Sequence, residues 1–390
     1  MNPRITRPRV AIAGAAAFVL AAAVAVSLTL GHATNAASTA KKPINARLAS
    51  SSCTGPAGAA YIATAGYQAF DAVDTNNCYE VQQYNVGDPA VPNTGTSDSN
   101  YSGTDEGIAM YGNTLYFALT GDDEVGVVPS QSLNPKDYTD TPETDIKVGV
   151  DPENLAVTPD GSQVWVADTG PQTGLPSMGG ISVISTATDT VTATLKLPAT
   201  DPRNIAFSPS GATAYVTTSL GVLVYNTAND RLVTLIGGLG NPEGVTVSPK
   251  GTVYVTNDVQ NAVDVISPAT NRVTRTIAVG QLPWQMAVTS NGGTLYVANG
   301  DSDSVSVINT ATNAVTNTIA VSGGPVSVAL TPDGSRLWVG GLTSGNVSVI
   351  DTSDDAIVGA FAVGYGEYPN SGDGDEPTGI VMTTTLTPGH

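Results

Sequence analysis

An internal repeat constrains this chain more than any other feature. Aromatic residues recur inside short runs of β-forming residues, with spacings of 55, 49, 50, 39, 42 and 42 residues. The seven positions are Tyr61, Tyr116, Trp165, Tyr215, Tyr254, Tyr296 and Trp338. A fixed period of about 40 residues is typical of repeat architectures, in which each unit is one supersecondary element. The sequence therefore predicts one array of related units rather than two unrelated domains.

Each unit contains short runs in which apolar and polar residues alternate. In the unit that begins at Asn241 these runs read EGVTVS, TVYVTN, VDVISP and RVTRTIAV. Turn residues separate them, with glycine after Asp160, Ser210, Lys250 and Asp333, where a turn requires positive φ. Alternation bounded by Gly, Asn, Asp and Pro predicts antiparallel strands. Four strands in about 40 residues form a β-propeller blade, so we predict an all-β, seven-bladed β-propeller of four-stranded antiparallel blades.

A literal motif supports this prediction. Residues 254–257 read YVTN, and the units from Pro152 to Val363 repeat the same pattern. On these residues the chain resembles the YVTN-repeat family, exported seven-bladed propellers with a WD40-like repeat organisation. The resemblance implies the fold. It implies little about function, because propellers of one fold host unrelated activities.

The two ends of the chain complement each other. Residues 57–87 supply three strands, and the segment EPTGIVM at 376–382 matches the first strand of the unit at Asn241. We predict that this C-terminal strand pairs with the N-terminal blade, which removes an open sheet edge. The predicted domain is a single propeller over 57–386, with a tail at 387–390.

The N-terminus has the three-part pattern of a secretory signal peptide. Arginines precede an apolar run at 10–30, and small residues follow it. We predict a signal peptide over 1–36, with cleavage after Ala36 or Ala40, and an N-terminal segment over 37–56. The alternative is a retained anchor, because the apolar run is long enough to span a bilayer. After cleavage we expect no membrane-spanning segment and a secreted or cell-surface protein.

Cysteine, histidine and charge narrow the chemistry. Cys53 and Cys78 in an exported chain predict one disulfide, with a metal or redox pair as the alternative. The two histidines, His32 and His390, lie in the leader and at the last residue, which excludes Ser-His-Asp and Cys-His catalysis in the folded part. With 34 acidic against 15 basic residues, the net charge of −19 argues against nucleic acid as a partner.

Topology predicts where a ligand would bind. The first strand of each blade is innermost, so the residues that begin these strands ring the mouth of the channel. Seven residues align there: Glu106, Glu153, Arg203, Glu243, Trp284, Val326 and Thr378. The loops after the second strands add acidic residues to the same face: Asp122, Asp123, Glu124, Asp168, Asp258, Asp301 and Asp303. Enlarged loops lie there too, so we predict a ligand site formed by Glu106, Glu153, Arg203, Glu243 and Trp284.

The chemistry of this ring leaves several interpretations. Carboxylates could bind Ca²⁺ through oxygen ligands, with Glu106, Glu153, Glu243, Asp301 and Asp303 as candidates. A cationic organic ligand could instead stack on Trp284. A third interpretation treats the acidic residues as solvated turn formers, with Arg203 neutralising a glutamate and Trp284 filling the channel entrance.

Three functions fit these features. We predict a non-catalytic exported binding module that captures a protein, a glycan or a small cationic ligand outside the cell. We expect it to be a monomer and to have no catalytic residues. The first alternative is a Ca²⁺-dependent lactonase or esterase that uses carboxylates at the channel. The second alternative is a structural cell-surface protein.

Overall fold

The computed structural model describes residues 59–65, 69–74, 79–85, 107–130, 144–170, 179–197, 201–363 and 376–383. The predicted signal peptide, both cysteines, Glu106 and most of each enlarged loop lie outside these residues. The helices within the described part are two short 3-10 turns, Thr120–Asp122 and Gly300–Ser302. None of the helices in this part of the chain is long and apolar enough to cross a membrane.

The described strands form seven antiparallel sheets of four strands each. One sheet combines both ends of the chain in the order β28 (Glu376–Thr383), β1 (Ala59–Ala65), β2 (Ala69–Asp74) and β3 (Tyr79–Asn85). The other six are meanders in chain order. Three of them are β4 (Ile108–Tyr111), β5 (Thr114–Leu119), β6 (Glu124–Pro129), β7 (Thr144–Lys147); β8 (Pro152–Val157), β9 (Gln163–Asp168), β10 (Gly180–Ser185), β11 (Thr190–Lys196); and β12 (Pro202–Phe207), β13 (Thr213–Thr218), β14 (Gly221–Asn226), β15 (Arg231–Ile236). The remaining three are β16 (Pro242–Val247), β17 (Val253–Asn257), β18 (Ala262–Ser267), β19 (Arg272–Ala278); β20 (Pro283–Val288), β21 (Thr294–Asn299), β22 (Ser304–Asn309), β23 (Ala314–Ala320); and β24 (Pro325–Leu330), β25 (Arg336–Gly341), β26 (Asn346–Asp351), β27 (Ala356–Ala362).

Burial explains the aromatic repeat. The second strand of a meander packs between two neighbouring sheets, so every residue of β17 is buried, whereas the fourth strand β19 is almost wholly exposed. Trp165 of β9 is fully buried and stacks edge to face on Phe207 of the next sheet, with ring centroids 5.7 Å apart. Burying such a side chain contributes about 2–3 kcal/mol, which makes these residues the main contacts between sheets.

The first strands of the sheets contact one another in a cyclic order. β4 contacts β8, and contacts continue through β12, β16, β20, β24 and β28, which in turn contacts β4. β28 pairs antiparallel with β1, where Ile380 lies opposite Ile62, and both side chains belong to one hydrophobic cluster. Four-stranded antiparallel sheets packed in this way are the blades of a β-propeller.

The start of each first strand departs from regular pairing. A register shift follows the proline that begins β8, β12, β16, β20 and β24. Proline has no N–H to donate to a ladder, and an irregularity of this kind redirects the side chains beside it. The strand register passes over the residue after each of these prolines, and these are the positions at which the predicted channel-mouth residues lie.

Candidate functional site

The structure places the described ring residues at equivalent positions. Glu153, Arg203, Glu243, Trp284 and Val326 each follow the proline that begins a first strand, and Thr378 follows Pro377, the second residue of β28. Val326 and Thr378 are buried, whereas the other four are partly exposed. Glu106 lies outside the described residues. The ring available to a ligand in the described structure therefore consists of two glutamates, one arginine and one tryptophan.

Two of these residues are joined across neighbouring sheets. The Arg203 guanidinium donates a short hydrogen bond to Glu243 and a longer one, of 3.3 Å, to Asp201. The Asn241 amide donates to Glu243 Oε1 at 2.9 Å and to Asp258 Oδ2 at 2.6 Å. We call these five residues, Asp201, Arg203, Asn241, Glu243 and Asp258, the mouth network. Arg203 thus neutralises part of the acidic ring, as one interpretation of the sequence predicted.

The mouth network has an unusual protonation balance. Burial raises the pKa of Glu243 to about 7 although Arg203 opposes this shift, and the carboxylates of Asp258, Glu153 and Asp201 act in the same direction as burial. Burial opposes the charge of Arg203, but Glu243, Asp201 and Glu153 raise its pKa. One permanent cation therefore lies among several carboxylates, one of which gains or loses its proton near neutral pH.

Trp284 leaves a hydrogen-bond donor unused. Its Nε1 atom is buried and has no hydrogen-bond partner among the described residues. Gly300 lies against the indole, and a Cβ at that position would be 3.4 Å from Trp284 Cδ1. A buried donor without an acceptor is costly, so this position suits a ligand or a water molecule that accepts a hydrogen bond.

The channel beside the ring is narrow and partly polar. A cavity of about 140 Å³ is lined by first-strand residues, which are Ile108, Asn154, Asn204, Gly244, Val245, Gln285, Met286, Gly379 and Ile380. The side-chain amides of Asn154, Asn204 and Gln285 therefore face a space that holds only a few water molecules. A larger ligand would bind at the mouth, above these amides.

Asp303, a loop carboxylate predicted as a calcium ligand, has a local structural role, and so does the loop residue Asp123. Asp303 Oδ1 accepts hydrogen bonds from the backbone N–H groups of Gly323 and Gly324, at 3.0 and 2.9 Å. Asp123 makes the equivalent contact with the N–H of Asp151, at 3.0 Å. Within the described residues, no three His, Cys, Asp or Glu side chains are grouped to hold a metal ion. These aspartates tie the loop after the second strand to the loop that leads into the next sheet.

The prediction that Asp168 lies in the loop after a second strand is wrong. Asp168 is the last residue of β9, is 2% exposed and accepts a hydrogen bond from Ser182 Oγ at 2.7 Å. Its Oδ1 atom has no partner, and burial raises its pKa to about 7. Glu124 likewise begins β6 rather than lying in the loop, and it forms an ion pair with Lys147 at 2.8 Å. Aligning Asp168 with Asn257 and Asn299, which end β17 and β21, would have predicted its burial.

Two families match the chain. Residues 59–292 match the choice-of-anchor I domain, and residues 239–371 match the YNCE-like β-propeller. Among curated proteins, the PE-PGRS family protein PE_PGRS18 of Mycobacterium tuberculosis (strain ATCC 25618 / H37Rv) is 49% identical over 49 residues. That match spans 13% of this chain and 11% of that protein, so the chain covers a small part of this relative.

Solved structures share the fold at low sequence identity. Hydrazine synthase of Kuenenia stuttgartiensis superposes with a TM-score of 0.57 at 20% identity, over 73% of this chain and 96% of that chain. A Bacteroides fragilis NCTC 9343 protein with a proposed 6-phosphogluconolactonase assignment superposes with a TM-score of 0.62 at 13% identity, over 86% of this chain and all (100%) of that chain. These similarities establish a β-propeller and carry no activity over to this chain.

Proposed function

Because the chain belongs to the choice-of-anchor I domain family, and its four-stranded blades form a β-propeller, we propose that it is an exported binding module. The ligand or cell-surface partner binds at the channel mouth. The mouth network is the observation that carries this proposal. Its charged side chains lie beside the proline irregularities, where they are not needed to pair the strands, and they remain partly exposed.

The chemistry of the mouth favours a ligand with a cationic group. Asp201, Glu153, Glu243 and Asp258 outnumber the single Arg203, so the mouth has an excess of negative charge. An ammonium or guanidinium group gains charge-assisted hydrogen bonds from carboxylates and a cation–π contact from an indole face such as that of Trp284. A protein, a glycan or a small molecule can present such a group.

Titration of Glu243 gives the first prediction. We expect the affinity for trimethyllysine, measured by calorimetry, to rise about tenfold from about pH 6 to about pH 8, because Glu243 becomes charged near pH 7. Glu243→Gln should weaken binding at the higher pH and remove the pH dependence. Lys250→Gln, in the turn between β16 and β17 at the other end of those strands, is the matched control. Equal binding by Glu243→Gln, Trp284→Ala and the unaltered chain would contradict the proposal.

A lactonase-type hydrolase is the second candidate. The observation that favours it is the Glu243 carboxyl, whose pKa of about 7 suits a general base at neutral pH. Calcium at the channel would polarise a lactone carbonyl in such an enzyme. A lactone-hydrolysis screen with and without calcium separates the candidates: turnover that disappears in Glu243→Gln supports the hydrolase, and ligand binding without turnover supports the binding module.

We also propose a more specific architecture and location. The YVTN motif at 254–257 and the cyclic contacts of the first strands support a closed seven-bladed propeller of the YVTN-repeat type. The leader pattern at 1–36 supports export to the cell surface or medium. Mass spectrometry of the protein recovered from the cell surface or the medium tests the second point, because a retained leader would contradict a cleaved signal peptide.

A further inference from the structure

The outer strand β15 is unusual among the described strands. It carries three large apolar side chains that are strongly exposed, Leu232, Val233 and Leu235, and no other strand whose side-chain burial the structure describes carries more than one. Val233 is 58% exposed. The equivalent strands β19 and β23 are rich in threonine, each with one exposed valine. Exposed apolar clusters of this kind mark surfaces that meet a partner.

Positive charge accompanies these side chains. Arg231 lies on β15, and Arg272 and Arg275 lie on β19 of the neighbouring sheet; all three are exposed and have no ion pair with a described residue. The other two arginines of the described chain, Arg203 and Arg336, are both ion-paired. We call Arg231, Leu232, Val233, Leu235, Arg272, Val273 and Arg275 the rim patch. It is a basic and apolar region on a protein of net charge −19.

A cleft lies between β15 and β19. Its volume is about 630 Å³, and Leu235, Gly237, Gly238, Arg272 and Val273 contribute to its walls. The one carboxylate in the lining, Asp264, is buried and accepts hydrogen bonds from Asn257 at 2.9 Å and Thr276 at 2.5 Å. The Asp264 carboxylate is therefore already hydrogen-bonded to other residues of the protein. The exposed charge beside the cleft is that of the arginines.

The backbone of β15 is also available. β15 pairs with β14 on one side and is the last strand of its sheet, so its other edge has no strand beside it in the described structure. Such an edge accepts an extended peptide as an additional strand, with main-chain hydrogen bonds for affinity and side-chain contacts for specificity.

We propose that the rim patch binds an extended acidic segment of a partner protein as a fifth strand on β15. Valine-type side chains of this segment pack on Leu232, Val233 and Leu235, and its carboxylates pair with Arg231, Arg272 and Arg275. Charge complementarity selects this occupant over a second copy of the chain. A symmetric dimer through this patch would place the same patch of both copies together, with three arginines on each side.

The test measures binding of short peptides to the full chain by fluorescence anisotropy. The probe is a labelled peptide of about ten residues with alternating Glu and Val, compared with the alternating Lys and Val peptide and with a Glu and Val peptide that is N-methylated along one edge. We expect the Glu and Val peptide to bind at least about tenfold more tightly than either comparison peptide.

Two variants localise the interaction. The triple change Leu232→Thr, Val233→Thr and Leu235→Thr copies the threonine-rich neighbouring strands, and Arg272→Glu with Arg275→Glu reverses charge; each should weaken binding about tenfold or more. Val315→Thr on β23 is the matched control and should bind the Glu and Val peptide as tightly as the unaltered chain. Thermal melts of each variant establish that it is folded.

Three results would overturn the proposal. The first is equal binding of the acidic and basic peptides, and the second is undiminished binding by the folded triple variant. The third is self-association, detected by sedimentation velocity, that the triple variant abolishes, because the occupant would then be a second copy of the chain.

Discussion

At the scale of single residues, Asp168 shows what one atom changes. Two other sheets end their second strand with asparagine, and Asn299 uses its amide N–H₂ to donate to Ser304 and Ser306. The Oδ1 atoms of Asn299 and Asp168 are both buried without a partner, but the second atom of Asp168 is an oxygen that accepts from Ser182 instead of an amide nitrogen that donates. The site keeps this carboxyl in its neutral form up to about pH 7, because burial penalises the charge.

The substitution Asp168→Asn should therefore stabilise the protein at alkaline pH. The pKa of Asp168 rises from 3.8 to about 7 on folding. The contribution of Asp168 to the free energy of unfolding is therefore fully present below about pH 4 and is lost as the pH rises through 7. At about pH 8 we expect the variant to gain up to about 4 kcal/mol, and near pH 4 little or nothing. Urea unfolding at both pH values measures this difference. A gain that is the same at both would exclude titration as the cause.

Prediction from sequence was uneven at this scale. Trp165 and Tyr254 are both buried, and the recurrence of an aromatic residue between β-branched neighbours at a fixed position is the signal of such a core site. The pairing of Arg203 with Glu243 was not predictable as a specific contact. The two residues are 40 positions apart, and their contact depends on how two irregular strand starts direct long side chains.

At the scale of elements, threonine compensates for the irregular starts of the first strands. Thr217 of β13 is fully buried; its Oγ1 accepts the N–H of Asn204 at 3.0 Å and donates to the carbonyl of Glu243 at 2.6 Å. Thr256 of β17 accepts the N–H of Gly244 in the same way, at 2.7 Å. The threonine of the repeat thus satisfies backbone groups that the register shift leaves without a strand partner.

Replacing that hydroxyl should be costly although the shape is kept. Thr217→Val leaves a buried N–H and a buried carbonyl without partners, and we expect unfolding free energy to fall by about 1–3 kcal/mol. Thr190→Val, at the exposed start of β11, is the control and should change stability little. Chemical denaturation compares the two variants. A loss confined to Thr190→Val, or absent from both, would show that the hydroxyl of Thr217 is not required.

Strand positions followed well from alternation and turn residues, but the rim patch did not. A period of two identifies the two faces of a strand without saying which neighbours cover them. β15 and β19 differ in their apolar content, but only the folded structure shows that Leu232, Val233 and Leu235 of β15 are exposed.

At the scale of the whole molecule, the chain ends meet in one sheet. β28 supplies the first strand beside β1, and Ile380 packs with Ile62, Trp338 and Phe361. The segment EPTGIVM, which the sequence aligns with the other first strands, lies in β28. The mouth loops were harder to predict, because a repeat pattern constrains strands and leaves inserted segments undetermined.

Truncation tests the contribution of β28. A chain that ends at residue 375 lacks this strand, exposes the edge of β1 and loses part of a hydrophobic cluster. We expect its melting temperature to fall by more than about 10 °C and the protein to aggregate on heating. A chain that ends at residue 386 removes the predicted tail alone and should melt normally. If both truncated chains melted alike, β28 would not be needed for stability.

The prolines that begin the first strands have a consequence for evolution. Each proline pairs with a residue of the second strand, and the strand register passes over the residue that follows the proline. Substitutions at Glu153, Arg203, Glu243 and Trp284 can therefore accumulate with little penalty to the blades that carry them. A lineage can explore new ligands by changing one residue per blade, and the same independence makes the ring a natural place to install designed specificities on this scaffold.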